Sequence, residues 1–296
     1  MKGLLERLSA GERLVADGAM GTLLLQRGLP VGECPESVNL SRPELLEVIA
    51  RQYLDAGAEI IQINTFGASL TNLATHGLEH QAQQIIQAAV RAARAAVGDR
   101  AYLCGSCGPT GRLLKPHGEA DPEGLYSDFL KQMTWLVEAG VDVICIETMS
   151  DLTEATLAVR AAKAAAPAVP VMATMTFNPT PKGFYTFMGV SVAQAAAGLQ
   201  AAGADVVGSN CGNGIEAMIE VAREFKRWTR LPLIIQPNAG LPQIKGGALV
   251  YRETPQFMGE KAADLLAAGV SIVGGCCGTT PEHIAAIRKT VDSFGS

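Results

Sequence analysis

The stretch AAGADVVGSN, residues 201–210, runs from the end of an alanine-rich helix through a glycine into a short apolar segment. It recurs in altered form as DAGAEIIQIN from Asp55, EAGVDVICIE from Glu138 and AAGVSIVGGC from Ala267. Glycine just after the last helical residue is the usual C-terminal cap. A short, continuously apolar run reads as a parallel strand buried on both faces. RLVADGA from Arg13, AYLCGSC from Ala101, PVMATMTF from Pro170 and PLIIQPN from Pro232 supply four more strands of the same kind. Helices are expected over 80–97, 123–139, 151–165, 192–202, 214–227 and 257–268, with a lead-in helix within residues 1–12. Eight alternating units in 296 residues predict an α/β fold, a (β/α)8 TIM barrel forming one domain over 1–296. The competing doubly wound sheet would be expected to carry a G-x-G-x-x-G turn after an early strand, and the chain has none. The glycine-rich loop 239–248, AGLPQIKGGA, follows the seventh strand and is placed to cover the barrel mouth.

Composition agrees with that architecture. The chain is 48% hydrophobic but only 5% aromatic, so its core is built from Ala, Val, Ile and Leu. A net charge of −5 without blocks of like charge argues against nucleic acid or an anionic membrane surface as partner. The opening MKGLLERLSAGERL lacks the apolar core of a signal peptide, and no apolar stretch approaches membrane-spanning length. The expectation is a cytoplasmic protein. Its seven cysteines are an odd number and are expected to be reduced rather than paired.

In a (β/α)8 barrel the reacting groups lie at the C-terminal ends of the strands. Polar or reactive residues at those ends are Asp17, Asn64, Thr65, Cys104, Cys107, Glu147, Thr176, Asn178, Asn210, Cys211, Asn238, Cys276 and Cys277. Ends six and eight of the ring lie roughly 10 Å apart, close enough for thiolates from both to reach one ion. Cys211, Cys276 and Cys277 therefore form a candidate three-thiolate zinc site with one open position, the arrangement of a catalytic rather than a structural zinc. For the adjacent pair Cys276 and Cys277 to converge, the backbone must leave the strand, which Gly274, Gly275 and Gly278 permit. Cys34 and Cys145 read as core residues. CGSC at 104–107 is a lone C-x-x-C, open to a second metal or a redox pair but without a second knuckle to support either. The Gly-Gly pair at 274–275 is compatible with a phosphate cradle, though two thiols there would gain nothing from a phosphate. His76, His80, His117 and His283 fall away from the strand ends and read as solvated, with Thr280 capping a helix that starts at Pro281.

DGAMGT at 17–22, NTFGAS at 64–69, GPTG at 108–111, ET at 147–148, SNCG at 209–212 and GGCCGTTPEHI at 274–284 resemble the zinc-dependent homocysteine S-methyltransferases. The resemblance is strongest to the homocysteine-binding barrel of cobalamin-dependent methionine synthase, and it runs from about residue 10 to 290. It implies Zn²⁺ on Cys211, Cys276 and Cys277, with Asn238 as a fourth ligand until substrate arrives. It implies L-homocysteine held around Asp17, Gly18, Thr65 and Glu147. The activity implied is methyl transfer to the homocysteine thiol, giving methionine. The donor expected is a methylcorrinoid, methylcobalamin carried by a separate corrinoid protein, because the folate, corrinoid and activation modules of methionine synthase do not follow this barrel. Relatives that use betaine have a tyrosine beside the glutamate, where this chain has Thr148, and add a C-terminal extension. Both differences disfavour betaine and leave S-methylmethionine or another onium compound as the alternative donor. A non-catalytic zinc-containing binding module of a corrinoid complex is the alternative of another class. A metal-free Schiff-base lyase would need a strand-end lysine, and the candidate strands contain none.

Overall fold

The structure, a computed structural model, describes residues 2–245 and 248–294. Eight parallel strands form its centre: β1 (Leu14–Val15), β2 (Ile60–Gln62), β3 (Tyr102–Cys107), β4 (Val143–Met149), β5 (Val171–Met175), β6 (Val206–Asn210), β7 (Leu233–Gln236) and β8 (Ile272–Val273). Each pairs with its neighbours in chain order, and β1 pairs with β8 through Leu14–Ile272 and Val15–Val273. A parallel bridge between Ala16 and Ile60 brings β1 against β2 and closes the ring into a (β/α)8 barrel.

The alternation of strand side chains divides the core in two. Leu14, Ile60, Cys104, Val143, Cys145, Met172, Val206, Ile234 and Ile272 pack together inside the barrel. Their neighbours Val15, Ile61, Leu103, Ile144, Ala173, Val207, Ile235 and Val273 belong to the larger layer beneath the helices. The lead-in helix, Leu4–Ser9, adds Leu4 and Leu8 to the interior cluster, and the Tyr102 hydroxyl donates to the Lys2 carbonyl at 2.5 Å. These contacts plug the end of the barrel opposite the strand C-termini. Inside, β6 and β7 approach so closely that a Cβ on Gly208 would lie 1.8 Å from the Ile234 carbonyl oxygen.

The recurring segment does two jobs. Its glycines, Gly57, Gly140, Gly203 and Gly269, all have φ between +86° and +103°, as helix-terminating residues should. Its acids then cap the start of a neighbouring strand. Asp142 Oδ2 accepts from the Leu103 N–H and Asp205 Oδ2 from the Val171 N–H, both at 2.8 Å, and each also pairs with a cation, Arg94 or Lys163.

The expected helices form with ends within two residues of expectation, for example Pro122–Ala139, Leu152–Ala165, Val192–Ala202 and Pro255–Ala267. Loop 239–248 differs from expectation. Gln243–Lys245 and Ala248–Val250 pair as an antiparallel hairpin, with residues 246 and 247 outside the described residues. A second hairpin, Asn178–Thr180 with Gly183–Tyr185, follows β5. Among the described residues no helix is long and apolar enough to cross a membrane.

Candidate active site

At the C-terminal ends of the strands lies a cavity of about 250 Å³ whose lining includes Cys211, Cys276, Cys277 and Glu147. Cys276 and Cys277 sit in the loop that leaves β8. That loop is held by its backbone: Gly275 N–H donates to Asp17 O, Cys276 N–H to Pro237 O, and Ala239 N–H to Cys277 O, at 2.8–3.0 Å. Gly278 has φ +80°, and a Cβ there would meet the Tyr251 ring at 2.1 Å, so both conformation and space require glycine. Gly274 and Gly275 serve differently from expectation. Neither has positive φ; a Cβ on Gly274 would strike Ala16 and the Asp17 carbonyl, and one on Gly275 would strike Thr279, so close packing is what they allow. At the other strand end the left-handed residue is Cys211 itself, which stands at φ +60°. A non-glycine residue in that region costs about 1–3 kcal/mol and persists where surrounding contacts impose it. Here the Cys211 N–H donates to Gln236 O at 3.1 Å and its carbonyl accepts from Asn213 N–H at 2.9 Å.

The result is a cluster in which the three Sγ atoms lie within 4.8 Å of one another, Cys211 and Cys277 being 3.9 Å apart. All seven cysteines are free thiols. Thiol hydrogen bonds from Cys276 and Cys277 pull Cys211 well below the usual thiol range, and the same sharing pushes Cys276 well up. Three sulfurs this close accept one charge readily and resist a second and third, since like charges raise each other's pKa. A thiophilic cation removes that conflict, so the donor set fits zinc. Asn238 is buried beside it, its side chain favouring the Cys211 thiolate and its Oδ1 without a hydrogen-bond partner.

Glu147 supplies the opposite chemistry. Burial raises its carboxyl to about 7, against the lowering effect of the Ser106 hydroxyl, which donates a short hydrogen bond to Oε1. Gln62 Nε2 also donates to Oε1 at 3.0 Å, and Asn210 Nδ2 to Oε2 at 3.2 Å. Gln236 Nε2 in turn donates to Gln62 Oε1 at 3.0 Å. A buried carboxylate surrounded only by neutral donors is poised to receive a cationic group.

The residues expected around an amino acid divide. Gly18 and Glu147 line the cavity. Asp17 and Thr65 stand behind its wall. The Asp17 Oδ2 accepts from Gln62 N–H at 2.8 Å while its Oδ1 has no partner, and Thr65 Oγ1 donates to Ser106 O and accepts from Ser106 N–H. Gln62, Ser106 and Thr148 line the cavity without having been singled out as binding groups, although a lone Gln inside the apolar run EIIQIN is a signal that could have been used. CGSC behaves as a strand rather than a knuckle. Cys104 faces the barrel interior and Cys107 the helix layer, so neither a redox pair nor a shared metal is possible there. His283 corrects the reading of the histidines as solvated. It is buried, its Nδ1 accepts from the Thr280 N–H at 3.1 Å, and its Nε2 bonds the Glu253 carbonyl at 3.0 Å.

Residues 14–291 match the sequence model described as homocysteine S-methyltransferase. The chain belongs to the homocysteine S-methyltransferase family. Methionine synthase of Mycobacterium leprae is 32% identical over 97% of this chain and 25% of its own length. That of Mycobacterium tuberculosis is 32% identical over 94% of this chain and 24% of its own length. The chain thus spans about a quarter of the curated relatives it matches. Among solved structures, the homocysteine methyltransferase MmuM from Escherichia coli superposes with a TM-score of 0.79 in both its metallated and oxidized forms, at 24% and 25% identity. Each superposition covers 96% of this chain and 98% of that one. The cysteine cluster and Glu147 both fall within the stretch that the family model matches.

Proposed function

We propose that this family member transfers a methyl group to the thiol of L-homocysteine, giving methionine, with zinc held by Cys211, Cys276 and Cys277. The observation that carries the reading is the pairing, in one cavity, of three mutually facing sulfurs with a buried carboxylate. Homocysteine presents the complementary pair, a thiol and an ammonium group on one short chain. Zinc bound to the three cysteinates would deprotonate a thiol that joins them and leave its sulfur nucleophilic. Glu147 receives the ammonium group, and Gly18 contributes part of the cavity wall. Asp17 and Thr65 support that wall from behind, through Gln62 and Ser106. Asn238, with its unpartnered Oδ1, is the side chain we assign as fourth ligand before substrate arrives. The new bond joins sulfur to the methyl carbon, and the bond broken joins that carbon to the donor, which keeps the electron pair.

For the donor we favour a methylcorrinoid on a separate protein, supported by the 32% identity to methionine synthases along almost the whole chain. Direct transfer from an onium compound such as S-methylmethionine is the second reading, which membership of the homocysteine S-methyltransferase family leaves open. Zinc-loaded protein and homocysteine are incubated with methylcobalamin, S-methylmethionine or betaine, and methionine is measured. Methionine from the sulfonium compound alone reverses the preference. No methionine from any donor, with no binding of homocysteine by calorimetry, refutes the function.

A further inference from the structure

Glu147 and the cysteine cluster are joined through one side chain that does not line the cavity. Asn210 ends β6, is fully buried, and immediately precedes Cys211. Its Oδ1 accepts from the Thr148 N–H and from Thr174 Oγ1, both at 2.7 Å. Its Nδ2 faces three acceptors: Thr148 Oγ1 at 2.7 Å, Glu147 Oε2 at 3.2 Å and Cys276 Sγ at 3.8 Å. A carboxamide has two N–H protons, so three acceptors share two hydrogens. One neutral group therefore touches the carboxylate, the residue after it and a sulfur of the cluster.

The grip on Thr148 is unusual in kind. Thr148 stands at φ +61°, a region a β-branched residue enters only when held there. Asn210 holds it at two points, backbone N–H and hydroxyl. Because Thr148 follows Glu147 directly, its turn sets the direction in which the carboxylate leaves β4. A substrate whose thiol and ammonium group are separated by a few carbons needs the receptors for both at one fixed spacing.

We propose that Asn210 is a positioning residue, locking Thr148 in its left-handed turn and so holding Glu147 in register with the cysteine cluster. The proposal rests on the homocysteine reading given above. Asn210 does not touch substrate; it acts through Thr148 and Glu147.

The test uses zinc-loaded full-length protein as wild type, Asn210→Leu, and Asn210→Leu combined with Thr148→Gly. Homocysteine binding is followed by calorimetry, zinc by metal analysis and folding by circular dichroism. Asn210→Leu is expected to stay folded, keep its zinc and bind homocysteine about tenfold more weakly, as expected for lost hydrogen bonds to and around a charged group. Adding Thr148→Gly is expected to recover much of that loss, because glycine adopts φ near +60° without a clamp. Wild-type affinity in Asn210→Leu overturns the proposal, and so does a loss that Thr148→Gly fails to recover or a folded variant that has lost zinc. If Asn210→Leu does not fold, Thr174→Val takes its place. It removes the hydroxyl that orients the carboxamide, and a several-fold weaker affinity supports the proposal while unchanged affinity overturns it. Wild-type protein that fails to bind homocysteine would overturn the functional reading and this inference together, whereas wild-type binding with an unaltered variant overturns the inference alone.

Discussion

Glu147 makes amino-acid binding depend on pH in a way the geometry specifies. In the free protein its carboxyl titrates near 7, because burial penalises the charged form more than the Ser106 hydrogen bond favours it. An ammonium group is recognised by the ionised form. Apparent affinity is reduced by the fraction of protein that is not competent to bind, so one pH unit below the midpoint it is weaker by about tenfold. The assay is calorimetric titration with methionine between pH 5.5 and 8. Methionine carries the amino-acid groups without a free thiol, which removes sulfur deprotonation from the measurement. The dissociation constant should rise about tenfold between pH 8 and pH 6, and Glu147→Gln should bind weakly with little pH dependence. For stability without ligand the sign reverses. The folded pKa is raised, so the stabilising contribution is complete below the unfolded value of 4.5 and is lost as pH rises through about 7. The loss amounts to about 3 kcal/mol on that shift. Methionine affinity that is flat from pH 8 to pH 6, or a Glu147→Gln variant with the wild-type slope, would refute the reasoning.

Replacing Cys211, Cys276 or Cys277 singly by Ser should remove most bound zinc while leaving a folded barrel, since the strands close without these side chains. Zinc near one per chain in any of the three would contradict the assigned ligand set. Cys104→Ala should cost about 1–3 kcal/mol through a cavity inside the barrel and leave homocysteine affinity unchanged, measured by denaturation and calorimetry. A selective loss of affinity would give the C-x-x-C segment a role that its alternating strand faces deny. His283 is held below its usual pKa chiefly by burial, and its Nδ1 accepts from Thr280. Its contribution is therefore present above pH 6.5 and lost as pH falls through the lowered value, by at most about 1.4 kcal/mol per pH unit. Melting temperatures from pH 7 to pH 5 should show this acid loss in wild type and a smaller one in His283→Gln.

The barrel was legible because the physics that makes it is local and periodic. Helix end, glycine cap and two-sided apolar strand recur four times in forms close enough to align, and their glycines occupy the left-handed region in the fold. The cysteines could be brought together on paper for the same reason: in a closed ring of strands, chain order fixes which strand ends are near each other. Strand alternation puts Cys104 and Cys107 on opposite faces, a consequence that the reading of CGSC as a metal or redox pair leaves undrawn. What only the tertiary structure decided lies in contacts between strands that are distant in sequence. Asp17 and Thr65 sit behind the cavity wall because Gln62 and Ser106 stand in front of them. The left-handed backbone falls on Cys211 and Thr148, and Asn210 clamps Thr148 from another strand. His283 is buried because the segment at Glu253 closes over it. A sequence pattern records the preference of each residue for its own strand or helix. Burial, shared protons and imposed backbone angles are properties of groups that meet only once the ring has closed.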